Sequence, residues 1–507
     1  MKIFLILSDS FRFDHVGAMG LKKVDTPEID ALLSDSVCFT KCYAGSFPTV
    51  PHRYDMLTGR LGFPFRGWQK LEANDITMSE ILLDYGYITQ LITDTNEILR
   101  HEQNYNRGYI GHHLERGQER DIYFTKMNEP IKYLIPEEKA RHSFYFGDHT
   151  QADLSQWVSS HWRWEEDRFP PRLARMAAKW VEVNYKAKDF LLHLDFFDPH
   201  EPWDPPQYYV DKYDPGYKGI PMVMPNYGRA DVFTKAELRN MAARYRAELE
   251  MVSKWIGFVI RQIKDVGIYD ESLIIFTSDH GVYLGEHNRT GKLNITKTDP
   301  RGPWPLYEEL IHVPFLVKMP GQEYRGKTIS ELVQPTDILP TVLEMAGINS
   351  KRRLPGKAPL PYREIAQELK GIMYGREKGL NPLYGKSLLP LIRGEVKNWD
   401  REYIFSSQRL GFLNENFSFS LVPEKDTTLF WITVTGKEHA LVVGGREEDP
   451  PELYDIRKDP KQEKNIFSQK RRLAKKMVDA LFEGLVSLGA NKDRVQVYRS
   501  RVYNAPV

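Results

Sequence analysis

Cysteine is nearly absent from this chain, which has only Cys38 and Cys42 among its 507 residues. Two cysteines four positions apart cannot build the disulfide framework that is typical of small secreted proteins. A reducing compartment is the simpler interpretation, so we predict a cytoplasmic protein.

An excess of charge of one sign is also missing, because 70 Lys and Arg residues stand against 69 Asp and Glu residues. Proteins that bind nucleic acids or anionic membranes usually carry a positive excess. No apolar run approaches the roughly 18 residues of a membrane span. The apolar stretch at residues 3–7 is shorter than a signal-peptide core, and no small-residue cleavage site follows it. We therefore expect neither nucleic acid nor a membrane as a partner.

The chain does have enough apolar material for a large core, since 41% of its residues are hydrophobic. Short apolar runs alternate with helical patterns, which is typical of a mostly parallel sheet covered by helices on both faces. Helices are predicted to begin near Pro27, at the capping pair Thr77 and Glu80, and at a similar pair near residue 234. The predicted strands are residues 3–7, 88–93, 190–197, 273–277 and 314–317.

The pattern changes after about residue 390, where three segments with the pattern of antiparallel strands precede an amphipathic helix. The strands are predicted at 403–406, 429–435 and 440–443, and the helix at 470–488. We therefore predict an α/β fold, with a large domain at 1–390 and a smaller α+β antiparallel-sheet subdomain at 391–507. A stretch rich in Pro, Gly, Lys and Arg, residues 352–383, is interpreted as a long surface connection.

Acidic and histidine side chains follow two of the predicted strands. Asp9 comes after the first strand, and Asp279, His280 and Gly281 come after the strand at 273–277. Ligands of open α/β sheets sit beyond the carboxyl ends of the strands, so these side chains are well placed to bind a metal ion. The ordinary alternatives are a turn or cap residue for Asp9 and a structural Asp-His pair.

A third segment places Pro51 two residues and Arg53 four residues after Thr49, before a helical stretch. This spacing can put a hydroxyl at a helix N-terminus, where an anion is favoured, with Arg53 one turn further on the same face. The alternative is a plain Thr cap with a solvated Arg. His200 lies among prolines that fix a loop and could hold it over a pocket, or it could be an exposed loop histidine.

These segments together resemble the sulfatase family of the alkaline phosphatase superfamily, over most of the chain. Each fragment is weak, but their shared order is specific. The supporting fragments are residues 25–30, 57–60, 276–281, 284–287, 306–309, 336–341, 385–391 and 452–455. The resemblance implies an alkaline phosphatase-like sheet sandwiched by helices.

The resemblance also implies a divalent metal ion. Asp9 matches the family's first ligand, Asp279 and His280 match a later pair, and Thr49 stands at the nucleophile position that also faces the metal. Ser10 stands where many sulfatases have a second Asp. Because one carboxylate is replaced and a nitrogen ligand is present, we expect manganese, zinc or iron to be favoured, with calcium possible.

Thr49 departs from the family pattern. Sulfatases convert Cys or Ser at this position to formylglycine, and a Thr side chain cannot give that aldehyde, so no formylglycine is expected. Related phosphodiesterases and phosphotransferases of the superfamily use Thr as a nucleophile. The resemblance assigns Arg53 to a substrate oxygen and His200 to the leaving group.

Other positions that could contact the substrate also differ from the family pattern. His52 stands where the family often has a small residue, and Thr93 and Thr95 could donate to substrate oxygens, as in the phosphonate monoester hydrolase branch. The family's Gly-Lys pair is absent from its usual place before Tyr307. The candidates to replace its lysine are Lys292, Lys297 and Arg301.

We predict a metal-dependent hydrolase of a phosphodiester or phosphonate monoester, a small anionic substrate. The alternative is a sulfuric ester hydrolase that uses the same residues. A phosphotransferase, or a non-catalytic protein that binds a metal or an anion, is kept as an alternative from another class.

Overall fold

The structure is a computed structural model, and it describes most of the chain. The described residues are 1–20, 24–73, 75–119, 121–123, 136, 139–141, 150–294, 303–348, 383–410 and 430–506. Most of the predicted connection at 352–383, together with Lys297 and Arg301, lies outside them.

The strands of the described residues fall into one large sheet, one smaller sheet and two short pairs. They are β1 (Lys2–Ser8), β2 (Val37–Phe39), β3 (Cys42–Tyr43), β4 (Ile88–Thr93), β5 (Gly111–Leu114), β6 (Phe190–Phe196), β7 (Ser272–Ser278), β8 (Tyr283–Leu284), β9 (Thr290–Gly291), β10 (His312–Val313), β11 (Phe315–Lys318), β12 (Thr328–Ile329), β13 (Ile404–Ser407), β14 (Ile432–Thr435), β15 (His439–Val443) and β16 (Glu452–Asp455).

The α-helices vary from one turn to the long α7. They are α1 (Pro27–Ser34), α2 (Thr49–Thr58), α3 (Met78–Asp84), α4 (Gln151–Ser159), α5 (Phe169–Asn184), α6 (Gln207–Tyr213), α7 (Lys235–Asp265), α8 (Glu308–Ile311), α9 (Ile338–Met345), α10 (Leu389–Arg393), α11 (Arg471–Ser487) and α12 (Lys492–Asn504). Capping boxes at Thr77 and Thr234 begin α3 and α7 as the sequence predicts.

The large sheet has eight strands in the order β12-β2-β11-β7-β1-β6-β4-β5. Strands β7, β1, β6, β4 and β5 are parallel, whereas β11 runs antiparallel to both of its neighbours. Successive residues of β1 point to opposite faces, so Phe4 and Ile6 pack with α1, α5 and α7, and Leu5 packs with α2, α3 and α9. The sheet is therefore buried on both faces, which confirms the predicted fold class.

The C-terminal sheet is antiparallel, in the order β13-β14-β15-β16. Its apolar face packs against α11 and α12 through side chains such as Val434, Leu441, Leu481 and Val495. The antiparallel C-terminal sheet confirms the second part of the predicted fold class, whereas the domain boundary at residue 390 stays a prediction. Among the described residues, we find no helix with the length and hydrophobicity needed to cross a lipid bilayer.

Candidate active site

The register of the central strands brings distant polar residues together. Strand β1 lies between β6 and β7, and Ser8 pairs with both Phe196 and Ser278. The residues that follow, Asp9 and Asp279, therefore emerge at the same edge of the sheet. The backbone N–H of Asp9 donates to the carbonyl oxygen of Phe196 over 2.8 Å, which ties the loop after β6 to the same place.

Asp9, Asp279 and His280 form a buried cluster whose ligand atoms all lie within 4.8 Å of one another. Ser10 holds the two carboxylates: its hydroxyl donates to Asp9 over 2.9 Å and its backbone N–H to Asp279 over 3.0 Å. Burial, followed by the charge of Asp279, raises the pKa of Asp9 to about 7. The sequence therefore predicted the cluster, while a ligand role for Ser10 stays a prediction.

The protonation of His280 follows from its contacts. Its Nδ1 lies 2.9 Å from the carbonyl oxygen of Gly281, which can only accept, so Nδ1 carries the proton. The lone pair of Nε2 then faces Asp279, 3.4 Å away, and Asp9, 3.8 Å away. Burial, followed by the charge of Lys292, lowers the pKa of His280 well below its usual value, so the ring is neutral.

Thr49 is the first residue of α2, and Pro48 occupies the cap position. The alternative in which Thr49 is a plain helix cap is therefore wrong. Its hydroxyl oxygen lies 3.4 Å from Nε2 of His280, and the side chain is buried. The helix thus holds a hydroxyl against the acidic cluster, at the end of the helix dipole that favours negative charge.

The guanidinium of Arg53 lies deep in the site, and protein atoms engage its donors. Two parallel hydrogen bonds of 2.7 and 2.6 Å join it to Asp195. Its remaining nitrogen donates to Asp279 over 2.8 Å and to the carbonyl oxygen of Thr49 over 3.0 Å. Arg53 therefore holds the start of α2 to the acidic cluster, and its predicted contact with a substrate oxygen stays a prediction.

Lys292 follows β9 and reaches the same cluster. Its Nζ lies 3.3 Å from Nε2 of His280 and 3.9 Å from Asp9, with the side chain buried. It is preceded by Gly291, so a Gly-Lys pair is present here, further from Tyr307 than the family spacing led us to look. Of the candidate basic residues, Lys292 is thus the one that the described structure places in the site.

The predicted neutral donors have protein partners. Thr95 donates its hydroxyl proton to Asp195 over 2.8 Å, and its backbone N–H donates to the hydroxyl of Thr93 over 2.9 Å. His52 is fully buried, and neither ring nitrogen has a hydrogen-bond partner among the described residues. Burial and the neighbouring charge of Arg53 lower the pKa of His52 to about 3. A substrate-binding role for these three residues stays a prediction.

His200 is buried, so the alternative of an exposed loop histidine is wrong. Its ring stacks on Phe197 with centroids 4.1 Å apart, and its Nδ1 donates to the carbonyl oxygen of Glu201 over 2.7 Å. Burial, followed by the charge of Lys292, lowers the pKa of His200 well below its usual value. In this neutral tautomer its other nitrogen, Nε2, carries the lone pair.

Two groups of residues that pattern reasoning missed surround this site. Asp195 lies inside the apolar strand β6, and the signal for it is a charged residue in a run that otherwise reads as buried. Asp94, Gln118 and Asp198 form a buried hydrogen-bonded set under the His200 loop. Nothing in their spacing indicates that they meet, because the topology of the sheet brings them together.

The donor set fits a divalent cation. Two carboxylates and a neutral imidazole that presents a lone pair are common ligands of transition metals. The Nδ1 proton of His280 is held by a backbone carbonyl, as is usual for a ligating histidine. Burial and the charge of Asp279 raise the pKa of Asp9, and a cation would offset the negative charge of these two carboxylates. Asp9, Asp279 and His280 are therefore the residues that would hold the ion.

Comparisons with known proteins identify the family of the chain. The family model described as Sulfatase matches residues 2–348. The chain is 24% identical over 498 residues to "Arylsulfatase" of Clostridium perfringens (strain 13 / Type A), which covers 92% of this chain and 90% of that protein. It is 27% identical over 416 residues to "Multifunctional alkaline phosphatase superfamily protein PehA" of Trinickia caryophylli, covering 71% of this chain and 76% of that protein.

A solved structure shows the same fold. The phosphonate monoester hydrolase of Agrobacterium radiobacter superposes with a TM-score of 0.65 at 20% identity, covering 100% of this chain and 99% of that chain. Since the family model spans more than half of the chain, the protein belongs to the sulfatase family of the alkaline phosphatase superfamily. It is a sulfatase-family ester hydrolase.

Proposed function

We propose that the protein hydrolyses a phosphodiester or a phosphonate monoester through Thr49. The observation that carries this proposal is the position of the Thr49 hydroxyl, 3.4 Å from the neutral His280 and at the start of α2. Arg53 fixes the nucleophile segment, and Lys292 adds a second cation beside the acidic cluster. A threonine is a competent nucleophile for phosphorus when its ionised form is stabilised.

A divalent ion held by Asp9, Asp279 and His280 would supply the positive charge that favours the ionised hydroxyl and the charge developing on the ester. In the first step the Thr49 oxygen, having lost its proton to solvent, bonds to phosphorus. The bond to the leaving oxygen breaks, and that oxygen takes a proton from Nε2 of a protonated His200. In the second step His200 takes a proton from water, whose oxygen bonds to phosphorus; the bond from phosphorus to the Thr49 oxygen breaks, and its electron pair stays on that oxygen.

The sulfate ester alternative is supported by the similarity to the Clostridium perfringens protein named Arylsulfatase. Against it stands the chemistry of Thr49. Transfer of a sulfuryl group to an ordinary hydroxyl leaves a stable ester, whereas a hydrated aldehyde can release sulfate by elimination. We therefore favour the phosphorus esters.

The test replaces Thr49. We expect Thr49→Ala to lose nearly all turnover of a phosphodiester and Thr49→Ser to keep a measurable part, because serine retains the hydroxyl. When the wild type is incubated briefly with a phosphodiester and then quenched with acid, the peptide that contains Thr49 should carry the added mass of the transferred phosphoryl group. Wild-type turnover by Thr49→Ala would contradict the proposal and point to water as the nucleophile.

A substrate panel decides between the ester classes. The metal-supplemented protein is assayed with aryl sulfate, phosphate monoester, phosphodiester and phosphonate monoester. The proposal expects the highest kcat/KM for a phosphodiester or phosphonate monoester. A clear preference for aryl sulfate would favour the alternative.

A further inference from the structure

A second group of buried charged side chains surrounds His200. Ligand-type atoms of Glu119, His200 and Glu201 lie within 4.8 Å of one another. Arg141 donates to Glu119 over 2.8 Å and also to Glu201. Since one guanidinium bridges both carboxylates, this group is an ion-paired cluster, and we do not interpret it as a second metal site.

The two carboxylate oxygens of Glu201 have different surroundings. Oε1 accepts hydrogen bonds from Arg141 and from the hydroxyl of Tyr227. Oε2 has no hydrogen-bond partner among the described residues, and it lies 3.4 Å from Nδ1 of His200. A buried carboxylate oxygen without a partner is unfavourable, unless a neighbouring positive charge stabilises it. The imidazolium form of His200 would supply that charge.

The other charged groups near His200 act in the opposite direction. Lys292 from the β8-β9 hairpin, Arg141 and Arg53 all disfavour a positive charge on the ring, as does His280 when it is protonated. A protonated ring is nevertheless the form that can give a proton to a leaving group while keeping Nδ1–H on its acceptor. Of the two carboxylates in this cluster, Glu201 is the one with an oxygen 3.4 Å from Nδ1, and its charge favours that form.

We propose that Glu201 is a positioning residue for His200. Its carbonyl oxygen fixes the Nδ1–H side of the ring, its Oε2 stabilises the imidazolium, and Arg141 and Tyr227 hold its carboxylate in place. As the bond from phosphorus to the leaving oxygen breaks, its electron pair stays on that oxygen, which takes the Nε2 proton. His200 is left neutral, with Nδ1–H still on Glu201. This role rests on the proposed function.

The first test compares two esters of phenylphosphonate, one with a methoxide and one with a 4-nitrophenolate leaving group. Glu201→Gln should lower kcat/KM for the methyl ester about 10-fold or more beyond any loss on the nitrophenyl ester, because only the poor leaving group needs the proton. Tyr227→Phe, a milder change, should shift the same ratio in the same direction. Glu119→Gln is the comparison variant: it removes a carboxylate from Arg141 but not the one that lies 3.4 Å from Nδ1 of His200, so the ratio should change much less than in Glu201→Gln.

A double-mutant cycle separates positioning from general damage. In a His200→Ala background, Glu201→Gln should no longer change the ratio of the two rates. Equal losses on both esters, or an effect that persists without His200, would overturn the inference. If the wild type hydrolyses no phosphonate or phosphate ester, the proposed function fails and a second readout decides on Glu201.

That readout needs no turnover. The Nδ1–H proton of His200 should give a downfield NMR resonance that His200→Ala removes. Glu201→Gln should move this resonance upfield, since the charged oxygen 3.4 Å from Nδ1 becomes a neutral amide. An unchanged resonance in a folded Glu201→Gln protein would show that the side chain does not act on the ring.

Discussion

At the scale of single residues, we expect Ser10 to influence which metal ion the candidate site prefers. Its backbone has φ 61, a region that L-residues rarely adopt and in which Asp and Asn are enriched. An aspartate can therefore replace Ser10 without new backbone strain. It would add a carboxylate beside two others, which favours calcium over ions that prefer nitrogen.

We predict that Ser10→Asp raises the affinity for Ca²⁺ relative to Mn²⁺ and that the wild type prefers Mn²⁺. The midpoint of thermal unfolding, measured after chelation and stepwise addition of each ion, reports binding without requiring turnover. Ser10→Asn is the matched control, because it tolerates the same backbone conformation and adds no charge. An unchanged preference in Ser10→Asp would mean that this position does not face the ion.

The pair of Arg53 and Asp195 is the second feature at this scale. Both side chains are fully buried and joined by two short hydrogen bonds. Breaking a buried ion pair leaves a charge without its partner, which costs more than the pair contributes. The main effect of the pair is therefore that it fixes the positions of Arg53 and Thr49.

We expect Asp195→Asn to lower the free energy of unfolding by about 3 kcal/mol, measured by chemical denaturation. The control Thr95→Val removes only one hydrogen bond to Asp195 and should cost about 1 kcal/mol. Equal and small effects of the two variants would show that Asp279 and Asp9 alone satisfy Arg53.

At the scale of secondary structure elements, the sequence predicted the central strands well. Buried parallel strands read as near-continuous apolar runs, as β1 and β7 do, and as β6 does apart from His193 and Asp195. The edge strand β5 was not predicted, because its sequence Gly-His-His-Leu is polar and only partly buried. Helix α12 was also missed, since its charged sequence shows little apolar periodicity.

Candidate site residues could be predicted where they come directly after a strand in the sequence. Asp9 and Asp279 belong to this class, because the carboxyl ends of parallel strands share one edge. Asp195 and Glu201 were not predictable in the same way. Their importance depends on which residues lie opposite them, and spacing along the chain carries no such information.

The turn after β7 has little room for any side chain. A Cβ at Gly281 would overlap the carbonyl oxygen of Glu309 and approach Cγ of Arg12 at 2.8 Å. Since Gly281 also accepts the Nδ1 proton of His280, a shift of this turn moves a candidate metal ligand. The glycine is required here by close packing of the backbone.

We expect Gly281→Ala to cost about 3 kcal/mol of stability and to weaken the stabilisation by added Mn²⁺. Gly86→Ala is the contrasting control: its φ is +84, and no described atom lies within 4 Å of the added carbon. It should cost only about 1 kcal/mol from backbone strain and leave the Mn²⁺ effect intact. Denaturation with and without the ion measures both quantities.

At the scale of the whole molecule, the C-terminal sheet supports residues 44–47, which lead into α2. Ser407 of β13 exchanges backbone hydrogen bonds with Gly45 and Phe47, 3.0 Å each, just before Thr49. Ser406 donates its hydroxyl to the carbonyl oxygen of Ala44. The segment that leads into α2 is thus bonded to the C-terminal sheet, so the position of Thr49 depends on residues more than 350 positions away.

Buried carboxyl groups beneath the His200 loop couple the stability of the whole molecule to pH. Burial, followed by the charge of Asp204, raises the pKa of Glu248 from 4.5 to about 8. Glu248 shares a hydrogen bond with Asp198, whose pKa burial also raises well above its usual value. The folded protein therefore binds these protons more tightly than the unfolded chain does. Between about pH 4.5 and pH 8, unfolding releases the proton of Glu248.

The sign of the pH effect follows from this proton release. A raised carboxyl pKa contributes stability that is fully present below pH 4.5 and is lost as pH rises through about 8. Glu248→Gln keeps the shape and a hydrogen-bonding group but cannot ionise. We therefore expect it to unfold at higher denaturant concentration than the wild type at pH 8 and at nearly the same concentration at pH 5.

The control for this experiment is Glu250→Gln on the same helix. Glu250 accepts hydrogen bonds from Lys212 and Tyr213, so removing its charge should lower stability slightly at both pH values. For each variant, the quantity compared is the shift of the unfolding midpoint at pH 8 minus the shift at pH 5. Any effect of the substitution that does not depend on pH cancels in this difference. If Glu248→Gln gave the same change at pH 5 and pH 8, Glu248 would already be ionised in the folded protein. The buried hydrogen bond to Asp198 would then require a proton on Asp198 instead, because two ionised carboxylates cannot form it.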